Sequence, residues 1–157
     1  MNKILVGKVV NTHGIKGEIR IRSNFKYKDR VFVVGNYINI LDKDYKITSY
    51  RYHKVFDMVK LEGFNDINDV LFMKGKDVYF DKDKLELSNE EAIDSELINY
   101  KVKYEDKIGT IKEIMDINGN RVIRVELDRE YLIPYNDEFV KINKKDKEIE
   151  IKIIEGM

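Results

Sequence analysis

The sequence of 157 residues contains no cysteine and only two histidines, and these scarcities exclude several kinds of chemistry. Without cysteine the chain cannot form a disulfide framework, a thiol nucleophile or a thiolate zinc site, and this composition fits a reducing cytoplasm. The two histidines, His13 and His53, lie forty residues apart, and neither has another histidine at metal-ligand spacing. We therefore expect no metal site and no cofactor.

Recognisable catalytic and membrane motifs are also missing. No glycine-rich phosphate loop is followed by Lys-Ser or Lys-Thr, and no Gly-x-Ser-x-Gly nucleophile elbow occurs. The apolar run near the start is too short and too interrupted by Lys8 for a signal peptide, and no run approaches the roughly 18 residues of a membrane span. We therefore expect a soluble cytoplasmic protein that is not an enzyme and makes no membrane contact.

Charge is unevenly distributed along the sequence, although the formal net charge of the whole chain is zero. Residues 1–82 carry 16 basic and 10 acidic side chains, whereas residues 83–157 carry 13 basic and 19 acidic ones. A basic half suits a polyanion such as RNA, and an acidic half suits a basic partner. A solvated surface whose charge simply varies along the chain is the alternative explanation.

Short alternating runs dominate the first half and predict β-strands. In residues 18–22, Ile19 and Ile21 alternate with polar residues, as in a strand with one buried face. One short helix is predicted at about residues 67–73, with Asp66 as its N-cap and Gly75 at its end. Many short strands with one helix favour a closed or nearly closed barrel over residues 1–82.

The second half of the chain also contains short alternating runs, after a segment that lacks them. Residues 83–96 are densely charged and only weakly periodic, which favours a linker, although an ordinary surface segment fits as well. Alternating runs then resume, and Asn118-Gly119 marks a hairpin turn between two of them. Residues 97–157 are therefore predicted to form a second all-β domain, which makes the expected fold class all-β with one short helix.

The stretch 11–23 combines a turn with several basic residues. Gly14 and Gly17 can supply the backbone freedom of a tight loop between the first two strands. The basic residues lie on this loop and on one face of the next strand: Lys16, Arg20 and Arg22. That placement suits contact with several phosphates along an RNA backbone. A solvated edge strand without any ligand is the alternative.

His13 lies in the same stretch and has three candidate roles. Its ring can hold the loop through a hydrogen bond to the backbone, or it can contact a nucleobase or phosphate of RNA. It can also act as a general base, which would make the protein a small hydrolase. The residues around His13 do not decide between these roles.

Several stretches resemble the RimM family of bacterial ribosome maturation factors. GKVVNTHGIKGEIRIRS (7–23) is similar to the opening signature of that family, and KLEGFNDINDVLFMKGKDVYF (60–80) is similar to a later segment of its first domain. ELINYKV (96–102), IGTIKEI (108–114) and YLIPY (131–135) resemble its second domain, a PRC barrel. The similar stretches occur in the family's order and cover essentially the whole chain.

This resemblance implies a fold and a function. The family has an N-terminal six-stranded barrel similar to those of translation factors, a C-terminal PRC β-barrel and no catalytic activity. Its members assist late maturation of the small-subunit head and processing of small-subunit ribosomal RNA, and they bind the small-subunit ribosomal protein S-nineteen. The expected partners are therefore S-nineteen and the immature small subunit with its RNA. We expect the protein to be a monomer. A general RNA-binding barrel without an assembly role is the alternative function.

The resemblance also implies candidate contact residues. Those expected to contact RNA or the ribosomal particle are His13, Gly14, Lys16, Gly17, Arg20 and Arg22. At the second contact the sequence departs from the family, because Ala92-Ile93 stands where the family carries a Tyr-Tyr pair associated with ribosomal-protein binding, and Asn99 replaces a family glycine. We expect the contact to be rebuilt from nearby residues, or to be weaker. The residues predicted for it are Ile93, Tyr100, Ile133, Pro134 and Tyr135.

Overall fold

A computed structural model describes residues 2–157 and divides the chain into two compact units, with the boundary between Glu86 and Leu87. The predicted linker, residues 83–96, spans this boundary, and three of its side chains, Leu85, Ala92 and Ile93, are buried. The all-β fold class is confirmed, because strands account for most of the regular structure in both units. No helix within residues 2–157 is long and apolar enough to cross a membrane.

The first unit is a closed barrel of six strands. These are β1 (Lys3–His13), β2 (Glu18–Arg22), β3 (Tyr37–Ile40), β4 (Lys43–His53), β5 (Phe56–Leu61) and β6 (Asp77–Asp81). Their hydrogen-bonded order is β1-β2-β5-β4-β3-β6, and β6 pairs with β1 to close the barrel. Ile19 and Ile21 are fully buried, so the alternation in residues 18–22 is that of a barrel wall.

Short helices connect some of the strands. They are α1 (Lys28–Val31), α2 (Ile67–Val70) with a 3-10 turn after it (Leu71–Met73), a second 3-10 turn (Lys82–Lys84) and α3 (Asp94–Leu97). The helix predicted from the sequence is α2 with its 3-10 turn, and the side chain of Asp66 caps it by accepting a hydrogen bond from the Asn68 amide at 2.8 Å. The sequence interpretation missed α1 and α3, because a single turn is too short to show a helical period.

The second unit is a sheet of six strands. These are β7 (Lys101–Tyr104), β8 (Lys107–Ile117), β9 (Asn120–Glu126), β10 (Glu130–Pro134), β11 (Val140–Asn143) and β12 (Glu148–Ile151). Their order is β10-β9-β8-β7-β12-β11, and β12 runs parallel to β7. Asn118 and Gly119, both with positive φ, form the predicted turn between β8 and β9.

Strand β10 lies at an edge of this sheet and contains the only proline of the chain, Pro134. The amide of the next residue, Tyr135, donates to the carbonyl of Arg121 next to β9. Because successive amides of a strand point to opposite sides, the nitrogen of Pro134 faces away from β9. The missing N–H therefore removes no ladder hydrogen bond, which is why an edge strand accepts a proline.

Candidate nucleic-acid interface

The loop between β1 and β2 depends on glycine at two positions. Gly14 and Gly17 have φ angles of 75° and 84°, in the left-handed region that side chains disfavour. A Cβ atom on Gly17 would also lie 3.0 Å from the carbonyl oxygen of Asp66. The amide of Ile67 donates to the carbonyl of Ile15 at 3.0 Å, so the loop packs on the start of α2. This packing determines where β2 begins and how its basic side chains are displayed.

His13 and Arg20 meet across the β1–β2 pair. Nη2 of Arg20 lies 2.9 Å from Nδ1 of His13, and a guanidinium can only donate, so Nδ1 is the acceptor. In this contact a neutral His13 ring carries its proton on Nε2. The hydrogen-bond partner of the ring is a side chain of the neighbouring strand rather than the loop backbone, which makes His13 part of a basic surface.

Arg20 and Arg22 converge on the ring of Phe56, the first residue of β5. Each guanidinium carbon lies 5.6 Å from the ring centroid, within the range of a cation–π interaction. Arg22 is exposed and Arg20 is half-buried. The shared ring keeps both positive charges at one place on the barrel wall, which lowers the entropy cost of binding an anion there.

Strand β4 adds Arg51 and His53 to the same surface. Arg51 forms a bidentate ion pair with Glu18, with Nη2–Oε1 and Nε–Oε2 distances of 2.7 and 3.0 Å. This hydrogen bonding lowers the pKa of Glu18 and raises the pKa of Arg51. The ring centroids of His53 and His13 are 6.5 Å apart. Desolvation, followed by the positive charges of Arg51 and Lys54, lowers the pKa of His53.

We call this surface the arginine–histidine face. It comprises His13, Glu18, Arg20, Arg22, Arg51, His53 and Phe56. Of the residues predicted to contact RNA, three lie on this face: His13, Arg20 and Arg22. Gly14 and Gly17 shape the adjoining loop, and Lys16 is exposed on that loop. Guanidinium groups bind phosphate oxygens, and an imidazole or an aromatic ring can contact a base. Among residues 2–157 no group of three or more acidic or histidine side chains is arranged to hold a metal ion.

Besides Glu18, the sequence interpretation missed three members of this face that lie elsewhere in the chain. Arg51, His53 and Phe56 lie on the β4–β5 hairpin, about thirty residues after β2 in the chain. Strand β5 pairs with β2, and this pairing brings the hairpin beside Arg20 and Arg22. The available signal was the alternation of basic and aromatic residues at the end of β4, which resembles the basic alternation in β2.

A buried carboxylate anchors the opposite side of the same hairpin. Asp57 is fully buried, and its two oxygens accept from Nζ of Lys28 at 3.0 Å and from the hydroxyl of Tyr50 at 2.6 Å. Burial first, and then this hydrogen bond to Asp57, raises the pKa of Tyr50. Lys28 also donates to the carbonyl of Ser23 at 3.2 Å. The network ties the start of α1 to β4 and β5.

Replacing Asp57 by leucine is expected to lower the free energy of unfolding of the first unit by about 2 kcal/mol. The substitution would leave the partly exposed Lys28 ammonium and Tyr50 hydroxyl without their shared acceptor. Chemical denaturation followed by circular dichroism measures the change. Asp42→Asn is the control, because the ion pair of Asp42 with Lys3 is largely exposed and asparagine tolerates the φ of 62° at this position. Equal losses in the two variants would contradict the anchoring role.

The residues predicted for the ribosomal-protein contact lie mostly in the core of the second unit. Ile133 is fully buried, and Ile93, Tyr100 and Tyr135 each expose less than a tenth of their surface. Pro134 is half-buried. Ile133 therefore offers no surface to a partner, and the other three side chains offer little. Alternation along a strand indicates that one face is buried, but the sequence around these residues did not show which face it is.

An exposed surface of the second unit lies on the outer side of β8, β9 and β10. Met115, Val122 and Pro134 form one row of cross-strand neighbours, and Arg124 pairs with Leu132 in the next row. An open cleft of about 410 Å³ occurs on this surface. It is lined by Met115, Arg124, Glu130, Tyr131 and Leu132. A cleft with apolar and charged walls suits an apolar side chain from a partner that also carries charge.

Comparison with known protein families divides the chain in nearly the same place as the structure. Residues 4–85 match the family described as the RimM N-terminal domain. Residues 89–157 match the PRC-barrel domain. The two matches follow one another without overlap and together cover almost the whole chain.

Curated relatives match over their full length. A protein of Staphylococcus saprophyticus is 38% identical over 165 residues, which cover 99% of this chain and 98% of that protein. A protein of Bacillus mycoides is 39% identical over 164 residues, covering 97% and 96%. Both are named ribosome maturation factor RimM. A solved structure from Pseudomonas aeruginosa, described as a 16S ribosomal RNA processing protein RimM, is 20% identical with a TM-score of 0.49 and covers 99% of this chain and 100% of that one.

Proposed function

Because the chain belongs to the RimM family, we propose that it is a ribosome maturation factor that assists late assembly of the small-subunit head and processing of small-subunit ribosomal RNA. It acts by binding, without a catalytic step of its own. The matches to two proteins named ribosome maturation factor RimM, at 38% and 39% identity over nearly the whole of both chains, support this assignment.

The RNA contact of this proposal is the arginine–histidine face, and its convergent charge is the observation that carries the proposal. Arg20 and Arg22 of β2 converge on the ring of Phe56. His13 of β1 contacts both Arg20 and His53 of β4, and Arg51 of β4 pairs with Glu18 of β2. Glu18 neutralises one guanidinium, that of Arg51, and leaves the charges of Arg20 and Arg22 for phosphates. Such a face holds RNA through its backbone, so shape and accessibility of the RNA decide where it binds.

The second unit supplies the contact with ribosomal protein S-nineteen. Residues 87–157 carry 17 acidic and 12 basic side chains, a balance that attracts a basic protein. The exposed cleft on β8, β9 and β10 replaces the aromatic pair that Ala92-Ile93 lacks, because Tyr131 and Leu132 offer apolar area there. Ile133 and Tyr135 act beneath the surface, where they hold β10 in position.

Binding must distinguish particles if it is to assist assembly. A factor that binds the immature subunit more tightly than the mature one shifts the equilibrium toward the conformation it prefers, and it leaves when maturation removes that conformation. The protein works as a cytoplasmic monomer, and each of its two units engages a different component of the same particle. Two modest contacts on one chain then reinforce each other through effective concentration.

Sedimentation of the tagged chain through a gradient of host lysate tests this function. We expect enrichment with free small subunits that carry unprocessed ribosomal RNA, and depletion from assembled ribosomes. An even spread over all RNA-containing fractions would contradict an assembly role. It would favour a general RNA-binding barrel instead, which the backbone-directed chemistry of the arginine–histidine face would also allow.

A further inference from the structure

The hairpin formed by β4 and β5 has a second face, opposite the arginine–histidine face. Side chains alternate along a strand, so Tyr50 and Tyr52 point away from Arg51 and His53. Tyr52 exposes 56% of its surface and Tyr50 exposes 39%. Neighbouring exposed aromatic rings beside a basic surface are a common arrangement in proteins that bind single-stranded nucleic acid.

Both rings are fixed by their surroundings. The hydroxyl of Tyr50 donates to Asp57, and its ring lies nearly parallel to that of Phe32, with 6.5 Å between centroids. The ammonium of Lys28 lies 4.9 Å from the centroid of the Tyr52 ring and is itself paired with the buried Asp57. Binding of a stacked ligand therefore costs little side-chain conformational entropy, because both rings are already held in place.

The turn at the end of the hairpin is strained. Lys54 and Val55 have φ angles of 49° and 66°, and a β-branched residue rarely adopts the left-handed region. Two-residue turns of this kind favour Asn-Gly. Val55 exposes 68% of its surface, so packing of its side chain does not explain the conformation. Strain of this kind concentrates at functional sites, which indicates that the position of the hairpin end matters.

We propose that Tyr52, with Lys28 beside it, is a stacking site for an unpaired RNA base. This inference rests on the proposed RNA-binding function and specifies the class of RNA. The strand passes around the hairpin, with phosphates on the arginine–histidine face and one base on the ring of Tyr52. Bases inside a duplex are stacked on each other and cannot offer a free face, so the site selects single-stranded segments. Incompletely folded ribosomal RNA exposes such segments.

The test uses the full chain and two fluorescent probes of equal length, an unstructured RNA strand and a duplex RNA. Tyr52→Ala is expected to weaken binding of the single strand about tenfold or more, because the stacking contact is lost. Binding of the duplex should hardly change. Tyr52→Phe keeps the ring and should bind both probes like the parent. Tyr37→Ala is the matched control, because Tyr37 is a tyrosine of the same barrel with 55% exposure.

The Tyr52→Trp variant gives a direct reading of stacking, because the chain contains no other tryptophan. Single-stranded RNA should quench its fluorescence, and duplex RNA should not. Tyr37→Trp should show no quenching with either probe. Unchanged emission at saturating single strand would overturn the proposal, and so would full affinity of Tyr52→Ala or an equal loss for the two probes.

The experiments can refute the stacking site on Tyr52 separately from the RNA-binding function. If reversing the charges of Arg20 and Arg22 abolishes binding while the Tyr52 variants bind like the parent, the RNA-binding function stands and the stacking site is refuted. If the unmodified chain binds neither probe, both the RNA contact and the stacking site are refuted. Tyr37, Tyr52 and Arg22 are exposed and Arg20 is half-buried, so thermal unfolding confirms that each variant is folded before its affinity is compared.

Discussion

The double substitution Arg20→Glu and Arg22→Glu is expected to weaken RNA binding by about two orders of magnitude or more, and with it the association with immature small subunits. Each arginine loses a charge-assisted contact to phosphate, and each new carboxylate repels the RNA backbone. The logarithm of the affinity should also depend less steeply on the logarithm of the salt concentration, because fewer counterions are released. Fluorescence anisotropy over a range of salt concentrations measures both effects.

A matched control separates this site from the general charge of the barrel. Lys74→Glu with Lys76→Glu makes the same change of net charge on exposed residues outside the arginine–histidine face. We expect that pair to lower affinity far less. Arg20→Lys with Arg22→Lys should give an intermediate result, since lysine keeps the charge but loses the planar fork and its stacking on Phe56. Unchanged binding after the double glutamate substitution would show that RNA contacts another surface.

Replacing Gly109 by alanine is expected to destabilise the second unit by about 3 kcal/mol or more. A Cβ atom at this position in β8 would overlap the carbonyl oxygen of Glu126 and lie 2.9 Å from its carbonyl carbon. Backbone atoms of a paired strand cannot rotate away as a side chain can, so the β8–β9 pairing must shift. Thermal unfolding of the full chain, with amide spectra to identify which unit unfolds, measures the loss.

Gly119→Ala serves as the comparison for Gly109→Ala. Gly119 has a φ of 83° in the turn before β9, and a Cβ atom there would meet nothing within 4 Å. Only backbone strain opposes that substitution, which costs about 1 kcal/mol. Spectra of the Gly109 variant should show the first unit intact, so the proposed RNA binding should persist while the proposed binding of S-nineteen is lost. A Gly109 variant as stable as the Gly119 variant would contradict the close approach of the strands.

Local features of the chain were predictable from the sequence. The alternation around Ile19 and Ile21 predicted β2, Asp66 predicted the start of α2, and Asn118-Gly119 predicted the turn between β8 and β9. Each of these depends on interactions within about ten residues, which a periodic pattern or a turn dipeptide reports directly. The one-turn helices α1 and α3 were not predicted, because a helix of one turn is too short to show a helical period in the sequence.

The candidate site was predictable only in part, for the same reason. The sequence alone determined that a glycine-containing loop is followed by a basic strand, and that the chain has a basic half and an acidic half. Tertiary structure decided that Arg51, His53 and Phe56 join Arg20 and Arg22, because strand pairing between β2 and β5 is a long-range contact. It also decided that Ile133 and Tyr135 face the core, because which face of a strand is buried depends on the strands packed against it.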